Sequence, residues 1–119
     1  MQFSKISQVF IVALGFSTPS LACVQYSCNI DWNTMTFNAA LTDNGSQTCA
    51  IQNEGFSSGV VDFEFSCIGG FSGDFNRDSG VVNYAHGSFS GSFGTNSENY
   101  QDGPFGDQYT YWTANVWGC

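Results

Sequence analysis

Residues 58–75 and 79–93 spell nearly the same phrase twice, SGVVDFEFSCIGGFSGDF and then SGVVNYAHGSFSGSF. Each copy opens on Ser-Gly-Val-Val followed by Asp or Asn and an aromatic ring, and closes on Gly-x-Phe-Ser-Gly-x-Phe. Within the first copy Val61, Phe63, Phe65 and Cys67 alternate with Asp62, Glu64 and Ser66. A period of two places one set on a buried face and the acidic set on the outer face of a strand. Glycines at 69, 70 and 73 are expected to bend the chain, with Phe71 and Phe75 beginning the return. The second copy goes out through Val81, Val82 and Tyr84 and comes back through Phe89 and Phe93. The doubled phrase therefore predicts two hairpins, four antiparallel strands stacked in chain order. Two copies are too few for a solenoid.

The same period runs elsewhere. Met35, Phe37, Ala39 and Leu41 share one face, and Thr36, Asn38 and Thr42 the other. Asn44-Gly45 then supplies two positions that tolerate positive φ, the signature of a tight hairpin. The returning segment carries Cys49 and Ile51 inward, and a turn is expected at residues 53–55. Residues 94–108, GTNSENYQDGPFGDQ, read as one long surface loop, a kind of segment that often carries function. In the last segment Tyr109, Tyr111 and Trp117 oppose Trp112, Ala114 and Val116, so both faces bear rings. No window gives an amphipathic helix. The expected fold is all-β: a small disulfide-stapled antiparallel β-sandwich or barrel of about 6–8 strands.

Residues 1–22 do not belong to that pattern. Lys5, the apolar run VFIVALGF, Pro19 and the small residues before Cys23 read as a secretory signal peptide, too short in its apolar core to span a bilayer. The expectation is a secreted, extracellular and monomeric single β domain over residues 23–119. A bacterial lipoprotein would also place Cys at 23, but Ser20 stands where the lipidation signal wants Leu. All five cysteines lie after the signal, where oxidation is expected. Cys28 with Cys119 would staple the two ends, and Cys49 with Cys67 would bridge neighbouring strands, each closure stabilising by roughly 3–4 kcal/mol. Cys23 is then left over, or takes the place of Cys28.

Ten acids face only Arg77 after the signal. Phosphate backbones and anionic lipid surfaces would be repelled, which argues against nucleic-acid and membrane partners. Several constellations invite a chemical reading. Asp74, Asn76 and Asp78 have the alternate-oxygen spacing that opens calcium loops. Ser79 stands where such a loop wants glycine, and Ala85 where it wants a bidentate acid, so a polar turn is the expected role and no cofactor is required. Asp62 and Glu64 project from one strand face as a glycosidase pair would, and His86 is the only histidine. Neither has the partners that hydrolysis needs, and no catalytic residue is assigned. Asn44-Gly45-Ser46 is an N-glycosylation acceptor at an expected hairpin tip. The better binding candidates are rings near turns: Trp32, Tyr100, Phe105, Tyr109 and Tyr111.

The opening MQFSKI, the segment ACVQYSC and the terminal Cys119 resemble small secreted cysteine-containing proteins of filamentous fungi, many of them host-directed effectors. Tyr26-Ser27-Cys28 with Cys119 is similar to the two ends of the ribonuclease-like effectors. That resemblance implies a Cys28–Cys119 bridge and, because His86 stands alone, a non-catalytic descendant. The functional expectation is a secreted non-enzymatic binding protein, an effector-like virulence factor recognising a host protein or cell-wall glycan. A carbohydrate-binding module or lectin, and then a small secreted hydrolase, are the alternatives.

Overall fold

Tyr26 lies where two sheets meet. Its ring packs against Phe65 and Phe75 at 5.6 Å and against Phe93 at 6.1 Å. The computed structural model describes residues 23–119, so the expected signal peptide over 1–22 lies outside the described residues. Ten strands follow in order: β1 (Val24–Asp31), β2 (Thr36–Asp43), β3 (Ser46–Gly55), β4 (Asp62–Glu64), β5 (Ser66–Cys67), β6 (Phe71–Asn76), β7 (Val81–His86), β8 (Phe89–Gly94), β9 (Asn96–Gln101) and β10 (Gln108–Val116). They form a six-stranded sheet, β5-β3-β2-β1-β10-β9, facing a four-stranded sheet, β4-β6-β7-β8. Every pairing is antiparallel. No helix occurs among the described residues. The protein is an all-β sandwich.

The doubled phrase builds the smaller sheet, its four strands lying side by side in chain order. Its glycines divide into two kinds. Gly70 and Gly87 turn the chain at φ +88° and +61°, conformations that side chains rarely adopt. Gly73 and Gly91 instead sit mid-strand, on the same face as the phenylalanines, and Gly73 does not bend the chain as expected. A Cβ on Gly73 would come within 2.5 Å of the Asn83 carbonyl oxygen and 3.1 Å of the Phe65 ring, and one on Gly91 within 3.0 Å of Trp117. The repeat thus alternates ring, gap, ring, and each gap admits a ring from another segment. Phe37 and Phe63 stack across the sheets at 4.1 Å, and Phe75 meets Trp112 edge-on at 5.2 Å. Such pairs contribute about 0.5–1.5 kcal/mol each beyond the area they bury.

Three local expectations change. The turn expected at 53–55 is the end of β3: Asn53 takes φ +49° at a bulge, its N–H donating to the Asn38 side chain at 2.8 Å. The first copy's outgoing segment splits, β4 staying in the small sheet while β5 crosses to pair with β3. Residues 94–108 are not one loop but the end of β8, the whole of β9 and a turn. Every residue of β9 is exposed, and β9 touches no strand but β10, so neither face carries a burial pattern to read. The division of the first copy and the unread β9 help raise the strand number to ten. Trp117 also departs from its alternation: φ +60° turns it inward among Phe89 and Phe93.

The disulfides close the margins of the sandwich. Cys49 and Cys67 are cross-strand partners on β3 and β5 and are bonded to each other. Cys119 is bonded to Cys23, not to Cys28. Cys28 alternates inward on β1, 4% exposed, and is a free thiol. Cys23, just outside that strand, is the cysteine the returning chain end reaches. Burial pushes the Cys28 thiol up to about 12. With the thiolate so disfavoured, mass spectrometry of the native protein should find one thiol that alkylates only on unfolding. The glycine argument makes a second prediction: Gly73→Ala and Gly91→Ala should each destabilise by about 1–3 kcal/mol in urea titration. Gly69→Ala, with open space around it, should be near neutral; equal effects at all three sites would remove the gap-and-ring account.

Candidate functional site

The outer face of the six-stranded sheet bears the exposed rings. On β10 burial alternates through Thr110, Trp112 and Ala114, leaving Tyr109 and Tyr111 on the opposite face. Antiparallel register then sets Tyr100 of β9 beside Tyr109. The three rings form a cluster with its corner at Tyr109, Tyr100 across the strands at 6.4 Å and Tyr111 along β10 at 6.1 Å. Tyr100 is 54% and Tyr111 41% exposed. Register also sets Glu98 beside Tyr111 on one side, and Asp31 beside Tyr109 on the other. The Tyr109 hydroxyl donates to Asp107 at 3.1 Å. That bond, then partial burial and the charges of Asp107 and Asp31, hold its phenol above the ordinary tyrosine value.

Trp32 follows β1 in the turn to β2. Asp31 shapes this turn by accepting the N–H groups of Asn33 and Thr34. The Trp32 backbone N–H donates to Gln108, and its indole Nε1 donates to Thr110 at 2.9 Å. Thr110 donates onward to Asn99 at 2.7 Å. The Arg77 guanidinium sits 5.4 Å from the indole centroid and is itself anchored on the Val60 and Ser58 carbonyls. An open cleft of 430 Å³ lies beside Trp32 and the Asn99, Gln101, Gln108 and Thr110 side of β9 and β10, with Tyr100 and Tyr109 of the same strands at its border. Three of the five candidate rings, Tyr100, Tyr109 and Tyr111, are brought together on the outer face, while the Trp32 indole bonds to Thr110 on the opposite face of β10. Tyr111 stands further along the sheet face, beside a 340 Å³ trough whose floor includes Ser27, Ala40 and Ala50.

No family model, curated protein or solved structure matches this chain. The reading of the site therefore rests on its geometry.

Phe105, the fifth candidate ring, is 99% exposed at the tip of the β9–β10 turn, which Asp102 closes by donating its N–H to Asp107. The polar partners Asn99, Gln101, Gln108 and Thr110 were not anticipated, since nothing in a polar run marks which amides will face a ring. Asn44 lies exposed in the β2–β3 turn at φ +53°, followed by Gly45 at +84°. The acceptor triplet is therefore at a hairpin tip.

The remaining polar candidates lie on the smaller sheet. Asn76 uses its side-chain oxygen to accept from Asp78 and Ser79, both at 3.0 Å, shaping the turn between β6 and β7. Asp74 accepts from Asn83, which accepts from Ser92. Among the described residues no three His, Cys, Asp or Glu side chains gather as a metal site. His86 lies flat on Phe71 at 4.3 Å. Asp62 and Glu64 stay on the outer face of β4, opposite Asn76 and Asp74.

The Asp62 carboxyl is held above the usual range, first by partial desolvation, then by its contact with the Asp74 carboxyl and the charges of Asp74 and Glu64. A raised carboxyl means that the folded state holds the proton more tightly than the unfolded chain. Stability from this site is therefore present at low pH and lost as pH rises through the raised value. Asp62→Asn should raise Tm at pH 7, and the gain should shrink as wild type is acidified toward about pH 4. A gain that is independent of pH would show that the carboxylates do not repel one another.

Proposed function

We propose that the chain is an exported, non-enzymatic recognition protein of the fungal effector type, engaging a host or cell-wall component through the tyrosine face of its larger sheet. The observation that carries this reading is the cluster of Tyr100, Tyr109 and Tyr111. A soluble sheet ordinarily keeps such large rings inside, and here three lie together on an open face while a full aromatic core is packed behind them. Tyrosine suits recognition because it brings large contact area with few rotatable bonds and a polar tip. The scaffold is stiff, with two disulfides at its margins, so little ordering entropy is lost on binding. Two disulfides in a small domain also support an extracellular setting.

A lectin-like reading has a specific observation of its own. The cleft at Trp32 combines ring faces with Asn99, Gln101 and Gln108, the amides that a sugar's hydroxyls would use. Asp62, Glu64 and His86, on which a hydrolase would depend, belong to the other sheet.

Affinity capture of the oxidised protein from host and wall extracts separates these readings. Tyr100→Ala, Tyr109→Ala and Tyr111→Ala should each weaken capture by about 1–2 kcal/mol, with Tm nearly unchanged because the side chains lie on the open face. A triple variant that captures as well as wild type would sink the proposal. Binding to a wall polysaccharide that is lost with Trp32→Ala or Asn99→Ala, but kept in Tyr111→Ala, would favour the lectin.

A further inference from the structure

We infer that the tyrosine face and the free edge of β9 together dock an extended, lysine- or arginine-bearing segment of a partner protein, which adds as a further strand beside β9. The inference rests on the recognition reading above and names the chemistry of the partner.

Three observations converge. The first is the edge. β9 is the outermost strand of the six-stranded sheet, pairs only with β10, and is exposed along its whole length. Its far side presents unpaired backbone groups, the template that strand addition uses. Asn96–Gln101 has no proline, and no bulge interrupts its register with β10.

The second is charge. Glu98 and Tyr100 point to the same face, and an added strand would set its own outward side chains beside them, within about 5 Å across the pair. Glu98 and Asp31 flank the tyrosines from opposite sides. The described residues have no free cation to offer them: Arg77 is the single Lys or Arg among residues 23–119, and it is committed to Trp32 and two backbone carbonyls. An ammonium or guanidinium arriving beside β9 gains the Glu98 carboxylate and the Tyr100 ring face, with Asp31 adding to the negative field further in.

The third is alternation. Same-face side chains of a strand repeat at roughly 6.8 Å, and on the outer face of β9 Glu98 and Tyr100 take successive same-face positions, beside Tyr111 and Tyr109 of β10. Alternate basic residues of an added strand would thus meet Glu98 and Tyr100 in turn. The same charge disfavours a second copy of this chain as the occupant, because pairing would bring two like-charged β9 strands together.

The test uses the oxidised protein and a fluorescent peptide of alternating lysine and threonine, titrated by anisotropy. Binding should appear, weaken with salt, and be absent for the peptide of alternating glutamate and threonine. Glu98→Gln and Tyr100→Ala should each weaken it roughly two- to five-fold, with the Tm and far-ultraviolet spectrum of the protein retained. Two versions of the peptide, N-methylated at every second amide in opposite phases, report on strand addition. One phase should abolish binding and the other keep it, since an added strand offers only one edge to β9. Equal binding of both phases, of the glutamate peptide, or of Glu98→Gln overturns the inference. So does competition by glucosamine oligosaccharides in place of peptide binding, or self-association through this edge in sedimentation. Should the lysine peptide fail while tyrosine-dependent capture from extracts persists, this inference falls and the recognition reading stands.

Discussion

The layer of rings between the sheets is the contact on which everything else in the molecule depends. A domain this small has few places to bury apolar area, and here aromatic residues supply most of it. Tyr26 from the larger sheet meets three phenylalanines, two of them on strands of the smaller sheet, and Phe37 stacks on Phe63. The ring layer fixes how the sheets sit on one another, and the strand registers then fix every outward side chain. Tyr100, Tyr109 and Tyr111 are neighbours because Trp112 and Ala114 are inside. The layer tolerates few polar atoms. Tyr84 reaches Asp43 and Thr48 at its margin, whereas the Tyr26 hydroxyl is buried without a hydrogen-bond partner among the described residues. Burial, and then the Cys28 thiol beside it, push the Tyr26 phenol far above its ordinary value. Leaving such a donor unpaired costs about 1–3 kcal/mol, which the packing of three rings around Tyr26 offsets.

How much of this was legible follows from which physical signal each element carries. Strands with one wet and one dry face announce themselves by period two, so β2, β7 and the core residues Phe37, Phe63, Phe75 and Phe93 could be read from the chain. Asn44-Gly45 could be read because positive φ selects those residue types. β9 could not, since with both faces in water nothing alternates. The role of Gly73 and Gly91 was hidden for a different reason. A missing side chain looks the same at a bend and beneath a ring, and only the incoming Phe65 and Trp117 distinguish them. Cysteine pairing was also out of reach: Cys23 and Cys28 lie near one end, and the choice between them is set by which way each faces around β1.

The candidate site was half legible on the same terms. Exposed rings near turns can be nominated from composition, and Tyr100, Tyr109 and Tyr111 do converge. The cleft beside Trp32 draws its residues from three separated segments, joined through the pairing of β10 with β1 and β9. Sequence distance conceals that meeting. The Trp32–Thr110 hydrogen bond spans 78 positions.

The charge asymmetry and the edge strand fit one physical account. A sandwich that leaves both sides of a margin strand in water carries a standing hazard of sheet-to-sheet association. Proteins limit that hazard with charge, bulges or cover, and β9 has neither bulge nor cover. It does have Glu98, on a chain whose acids outnumber its basic residues ten to two. Like charge keeps two copies apart at long range, and it acts only on partners of the same sign. The feature that guards the edge against self-pairing is therefore the one that would admit a basic segment. A surface of this kind separates self from partner by charge first and by the side chains along its edge strand second.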